Sequence, residues 1–173
     1  MNNIILIGMP GVGKSSIGVI LAKELGMQFM DSDLLIQEKE RRLLREILDQ
    51  VGVDGFLQIE EQVNSSIGAE KSVIATGGSA VYSEKAMRHL KEIGTVIYLK
   101  LEYEPLSRRL GNLHNRGVVL RDGQTLRDLF EERERLYEKD NFVAYCIIAP
   151  VGRRGFAGNC LSGGGTCPGI PGC

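Results

Sequence analysis

Gly8-Met9-Pro10-Gly11-Val12-Gly13-Lys14-Ser15 is the stretch on which the reading of this chain turns. Its spacing is the complete G-x-x-x-x-G-K-[ST] pattern of a phosphate-binding loop. Each residue type has a physical reason for its place. Glycines let the backbone curl so that successive N–H groups converge on an anion. A helix opening at Ser15 adds its positive end to the same point. Lys14 can reach the β- and γ-phosphates of a triphosphate, and the Ser15 hydroxyl can ligate Mg²⁺. Gly11, Val12, Gly13, Lys14, Ser15 and Ser16 are therefore the nucleotide-binding candidates, with ATP and Mg²⁺ as the implied cofactors. The plain structural alternative is a glycine turn that only links a strand to a helix.

The surroundings supply the context that the motif requires. Residues 3–8 are a mostly apolar run ending in glycine, as a buried parallel strand should be. The helix from Ser15 is expected to turn Ile17, Ile20, Leu21 and Leu25 inward and to stop at Gly26. Residues 27–30 and 72–76 read as further strands, the latter running into Gly77-Gly78. Between them, 34–67 read as helix in two or three pieces. One stripe is Leu43, Leu44, Ile47 and Leu48; another is Phe56, Ile59, Val63 and Ile67. A helix over 83–93, a strand over 95–101 and a short helix near 104–110 follow. Thr125 with Asp128 forms a capping box that opens a helix to about Lys139. Strands alternating with helices predict a parallel sheet covered on both faces.

Composition narrows the function class. The 173 residues suit one domain, and 43% hydrophobic with 25% charged residues is ordinary for a globular chain. A net charge of −1 offers no field to attract nucleic acid or an anionic membrane. The apolar stretch 4–7 is too short for a leader or a membrane span. The expectation is a cytoplasmic monomer acting on a small molecule. All four cysteines (Cys146, Cys160, Cys167, Cys173) fall in 141–173, where Arg153 and Arg154 are the only charged residues. Their gaps match neither a CxxC redox pair nor a zinc site. The chain thus divides into a domain over 1–140 and an atypical Gly/Cys-rich segment over 141–173.

Other residues define the branch. No Asn-Lys-x-Asp guanine-reading motif is present. Instead Asp31-Ser32-Asp33 follows the second strand, at the strand ends where ligands bind in open α/β sheets. One acid can support Mg²⁺ while the other accepts a hydroxyl proton; alternatively Asp33 is a helix N-cap before Leu34. Arg133 falls inside the apolar stripe of its helix, so it needs an anion, either a structural Glu or a substrate carboxylate or phosphate. Glu60, on the inner face of its own helix, reads as a salt-bridge partner, and a Glu60–Arg133 pair would satisfy both. Residues 111–123, with Arg116 near the centre, look like a lid.

Over residues 1–140 these features together resemble the shikimate kinase family. The matching pieces are Gly8–Ser15 with Ser16-Ile17-Gly18, Phe29-Met30-Asp31-Ser32-Asp33, Gly55-Phe56 with Ile59-Glu60-Glu61, Thr76-Gly77-Gly78-Ser79-Ala80-Val81, Arg108-Arg109, and Arg133 before Leu136-Tyr137. The resemblance implies a three-layer α/β/α kinase with a five-stranded parallel sheet. A lid over 111–123 and substrate-binding helices over 33–67 belong to the same picture. It implies Lys14, Asp33 and Arg116 as catalytic residues, with Asp33 binding the accepting hydroxyl. Ser15 and Asp31 would serve the metal, and Arg109 would stack on adenine. Gly77, Gly78, Ser79 and Arg133 would join Asp33 in holding the substrate.

Three departures stand against that pattern. The family's carboxylate-binding Arg, just after the Phe of its G-E-x-x-F-R-x-x-E stretch, is Leu57 here, followed by Gln58. Ser79 replaces a third glycine, and Gly117 replaces the proline after the lid arginine. The family's last strand and closing helix find no counterpart beyond Lys139. The leading expectation is transfer of the ATP γ-phosphoryl group to the 3-hydroxyl of shikimate. A kinase for another small hydroxylated metabolite and a nucleotide-binding module without transfer are the alternatives.

Overall fold

A computed structural model describes residues 3–110, 118–121 and 123–139. The expectations for Arg116, for most of the lid and for the cysteine-bearing segment lie outside the described residues. Strand β1 (Asn3–Ile7) leads through the glycine loop to α1 (Lys14–Leu25) and β2 (Gln28–Asp31). Helices α2 (Ser32–Glu40) and α3 (Leu44–Ser65) precede β3 (Ser72–Ala75), a 3-10 turn (Ala80–Tyr82) and α4 (Glu84–Ile93). Then come β4 (Gly94–Tyr98), α5 (Tyr103–Leu110) and α6 (Leu126–Glu138).

The sheet is parallel, in the order β2-β3-β1-β4. Its register aligns Leu6 with Ala75, Ala75 with Asp31, and Ile7 with Tyr98. The carboxyl ends of β1, β2 and β3 therefore share one edge, and the glycine loop, Asp31 and Gly77 leave the sheet side by side. Every residue of β3 is buried, so layers cover both sheet faces there. Against the five strands expected, the described residues form four, because nothing described beyond β4 adds a further partner on its outer side. The amino ends are tied by Asn3. Its amide nitrogen donates to Ala69 O (2.6 Å) and Ile93 O (3.0 Å), and its oxygen accepts from Ser72 N (2.9 Å).

Helix α1 corrects one expectation. Ile20 is 63% and Leu25 50% exposed, while Gly18 and Ala22 are buried. The cause is Phe29: a β-carbon on Gly18 would come within 2.6 Å of its ring, so the small-residue face lies against the sheet. Gly26 ends the helix as expected, left-handed at φ 62°.

Helix α3 breaks at Gly52, whose φ of 70° and ψ of −176° no helix accommodates. Of its first stripe, Leu43 is exposed and caps the helix instead of packing. Ile47, Phe56 and Val63 join Ile36 of α2 and Val119 in a second apolar cluster, apart from the core under the sheet. That cluster carries one wall of the site.

Candidate active site

A cleft of about 320 Å³ opens at the carboxyl edge of the sheet. Its floor is the glycine loop. Gly8, Gly11 and Gly13 all take positive φ (142°, 77° and 108°), and Gly13 is the N-cap of α1. Gly11 also has no room for a β-carbon, which would stand 2.8 Å from Leu110. Lys14 is buried in the cleft wall and donates to Gly8 O (2.7 Å) and Met9 O (3.0 Å) of its own loop. Burial pushes its pKa down to about 8, the positive charge of Arg133 pushes the same way, and Asp33 opposes both.

The acids at the end of β2 divide their labour. Asp31 is the N-cap of α2, accepting from Asp33 N at 3.0 Å through Oδ1. Its Oδ2 accepts from the Ser15 hydroxyl at 2.6 Å. Capping thus falls to Asp31, not Asp33, and leaves the Asp33 carboxyl free to face the cleft. Burial and then the neighbouring Asp31 push Asp33 up to about 6, with Lys14 opposing. Between them Ser32 is fully buried and accepts from Gly77 N at 3.0 Å. This bond fastens the β3 turn to the start of α2. Sequence reading missed it, although a short hydroxyl between two acids at a strand end was a signal.

Gly77 and Gly78 serve close approach. A β-carbon on Gly77 would overlap Glu60 Oε1 and stand 2.9 Å from Asp33 Oδ1. One on Gly78 would come 2.6 Å from Pro10 and 3.1 Å from Arg133 Nη1. Two carboxyls, a guanidinium and the glycine loop therefore converge on these two residues. Glu60 is 2% exposed, and its Oε1 has no hydrogen-bond partner. Burial pushes it up to about 7, partly offset by the Ser79 hydroxyl.

Arg133, 1% exposed, enters the cleft from α6. The Glu60–Arg133 ion pair, one of the alternatives the sequence left open, does not form. Instead Nε donates to the Tyr82 hydroxyl (3.2 Å), Nη2 donates to Val119 O (3.2 Å), and the guanidinium lies 5.1 Å from the Tyr82 ring centre. Neutral partners leave its charge uncompensated by contact, facing a cleft that also holds Lys14. One turn along the helix, the Tyr137 hydroxyl donates to Gly78 O at 2.7 Å. Tyr82 carried no sequence signal, and Tyr137 only that of its place in the resemblance; the fold brings Tyr82 to Arg133 and Tyr137 to Gly78.

Of the remaining candidates, Gly11, Gly13, Ser15, Ser16 and Ser79 line the cleft. Val12 does not: it is buried, and its carbonyl accepts from Arg109 Nη1 at 3.4 Å. Arg109 thus braces the back of the loop. Leu57 faces a separate cavity beside Glu60.

What this cleft can do follows from its parts. A cationic, glycine-lined floor suits a polyphosphate, a buried carboxyl above it suits a hydroxyl, and Arg133 suits an anionic substituent. For a cation, Ser15 Oγ and Asp31 offer the hard oxygen donors that Mg²⁺ prefers. Among the described residues no group of three His, Cys, Asp or Glu could hold a metal by itself. No described helix is long and apolar enough to cross a membrane.

Comparison with known proteins agrees with this geometry. The family model for shikimate kinase matches residues 10–148. The curated shikimate kinase of a Sulfurihydrogenibium species is 35% identical over 142 residues, covering 82% of this chain and 86% of that protein. Among solved structures, shikimate kinase from Acinetobacter baumannii in complex with shikimate superposes with a TM-score of 0.75 at 33% identity, covering 88% of this chain and 85% of that one. Shikimate kinase from Aquifex aeolicus superposes at 0.68 with 26% identity, covering 86% and 88%. With a glycine loop, a paired-acid turn and a Gly-Gly turn in the same cleft, the chain belongs to the shikimate kinase family, a family of ATP-dependent kinases.

Proposed function

We propose that this chain transfers the γ-phosphoryl group of ATP to the 3-hydroxyl of shikimate. The observation that carries the reading is the convergence of Lys14, Asp33 and Arg133 on one cleft. Lys14 gives up its bonds to Gly8 O and Met9 O and turns its charge toward the phosphates. Ser15 and Asp31 would hold Mg²⁺, which would supply neutralisation of the phosphate charge. Arg133 takes the acceptor's carboxylate and so sets the orientation of the ring.

Asp33, which lines the cleft, receives the proton of the attacking hydroxyl as the new O–P bond forms and the bond to the leaving ADP breaks. A carboxyl raised to about 6 is mostly ionised at pH 7 yet basic enough to help. Gly77 and Gly78 bring the turn close enough for the acceptor to lie against backbone. Most of the catalysis on this reading is positioning and charge neutralisation.

A second reading, a different small hydroxylated acceptor, is favoured by Leu57, which supplies no charge beside Glu60. The test is ADP release from Mg-ATP with and without shikimate, for the unaltered chain, Asp33→Asn and Leu57→Arg. The proposal expects shikimate-dependent release by the unaltered chain, lowered ~10²–10⁴-fold in Asp33→Asn with ATP still bound. Release by Leu57→Arg alone would transfer the case to the second reading.

A further inference from the structure

Arginine is a long, flexible side chain, yet the head of Arg133 is held at two points. Nε donates to the Tyr82 hydroxyl and Nη2 to Val119 O, both at 3.2 Å, and the Tyr82 ring centre lies 5.1 Å from the guanidinium. A guanidinium carries its N–H donors in one plane, a single donor on Nε and two on each terminal nitrogen. With Nε spent on Tyr82 and one donor of Nη2 spent on Val119, the outer end of the head is left. That end faces the Gly-Gly turn, where a β-carbon on Gly78 would stand 3.1 Å from Nη1. Parallel N–H bonds of this kind fit the two oxygens of a carboxylate. Among the described residues lining the cleft, Lys14 and Arg133 are the only cationic side chains. Lys14 lies on the phosphate side, so the aim of one guanidinium decides how an acceptor's anionic group is met.

Tyr82 stands on a firm base. Its N–H donates to Ser79 O (3.0 Å), closing the 3-10 turn, and the next residue, Ser83, caps α4 by accepting from Ala86 N (3.0 Å). The Ser83 hydroxyl in turn donates to Glu61 of α3 at 2.6 Å. The phenol therefore projects from a turn tied to two helices. Burial raises the pKa of the Tyr82 hydroxyl, Arg133 opposes the rise, and a bond to the Glu132 carboxylate adds to it. The hydroxyl thus stays neutral. A carboxylate in its place would pair with Arg133 and compete with a ligand for its charge. A neutral phenol aims the guanidinium and leaves that charge available.

We propose that Tyr82 is a positioning residue for the acceptor: by holding Nε it turns the outer end of the Arg133 head into the cleft, in the orientation that takes a planar carboxylate. The hydroxyl stops rotation about the bond to Nε, and the ring supports the face of the guanidinium. This role rests on Arg133 as the partner of the acceptor's carboxylate.

The test is Tyr82→Phe, which keeps the ring beside the guanidinium and removes only the oxygen that accepts from Nε. Initial rates with shikimate are expected to show the acceptor's KM raised ~3–10-fold and that of ATP unchanged. In an Arg133→Lys background, which has no guanidinium to aim, the same substitution is expected to add nothing. A rise in both KM values, or an equal rise in the Arg133→Lys background, would reduce Tyr82 to packing and overturn the proposal. A second readout needs no acceptor: hydrogen exchange of the Arg133 Nε–H in the free chain, followed by NMR and assigned by its absence from Arg133→Lys. Exchange is expected to be at least ~3-fold faster in Tyr82→Phe, and equal exchange in the two chains would overturn the bond as the device. If the unaltered chain shows no shikimate-dependent ADP release, shikimate is not the acceptor, and the exchange result still decides for or against Tyr82.

Discussion

The phosphate side and the acceptor side of the cleft are built by opposite means. On the phosphate side one continuous loop does the work, mainly with backbone: three positive-φ glycines and a helix start, with Lys14 as the one buried charge. On the acceptor side the work is done by side chains from scattered elements. Asp33 comes from α2, Glu60 from α3, Tyr82 from the 3-10 turn and Arg133 from α6. A backbone device tolerates variation in side chains but not in spacing. A side-chain device tolerates spacing but depends on each partner. One chemistry on the first side and variable acceptors on the second is the arrangement this contrast favours.

Substitutions on each side can break that contrast. The largest effect is expected from Lys14→Ala. It should lower turnover by at least ~10²–10³-fold and weaken ATP binding, as read by initial rates and nucleotide titration; normal kinetics would remove the loop from the mechanism. Next comes pH. On the proposed mechanism Asp33 acts ionised and Lys14 charged, so kcat/KM should climb about tenfold per pH unit below about 6 and fall above about 8. A flat profile across pH 5–7 would deny Asp33 its role.

Arg133→Lys loses the bonds to Tyr82 and Val119 and the planar head. It should raise the acceptor's KM about tenfold and leave that of ATP unchanged. Equal changes in both would mean that the two sides are not separable. The smallest effect belongs to Ser32→Ala, which strands Gly77 N. A loss of ~1–3 kcal/mol in denaturant unfolding is expected, with rates little changed.

Legibility in the sequence followed the same division. The loop could be read from Gly8 to Ser15 because its backbone conformation demands particular residue types at fixed spacing. Helix α6 was legible through its capping box, with Thr125 and Asp128 bonded in both directions. Arg133 stood out as a charge on an apolar stripe, and it is buried as inferred; its partners were not legible, since Tyr82 lies 51 residues away. Helix α1 misled because apolar periodicity cannot anticipate that Phe29 would select the Gly18 face. Asp31 and Asp33 were singled out together, but which one caps α2 depends on a φ of −116° at Asp31 that composition does not encode.

Asn3 has a consequence for the order of assembly. Its side chain reaches backbone 66 to 90 residues away, and β1 is flanked by β3 and β4, both far along the chain. β1 therefore leaves the ribosome well before β3 and β4 and must wait for both of its neighbours. Contacts of such separation slow folding, since a long loop must close before any of them forms. Gly8 follows β1 directly, so nascent chains that end short of β4 carry the full phosphate-binding sequence without the sheet edge that shapes it.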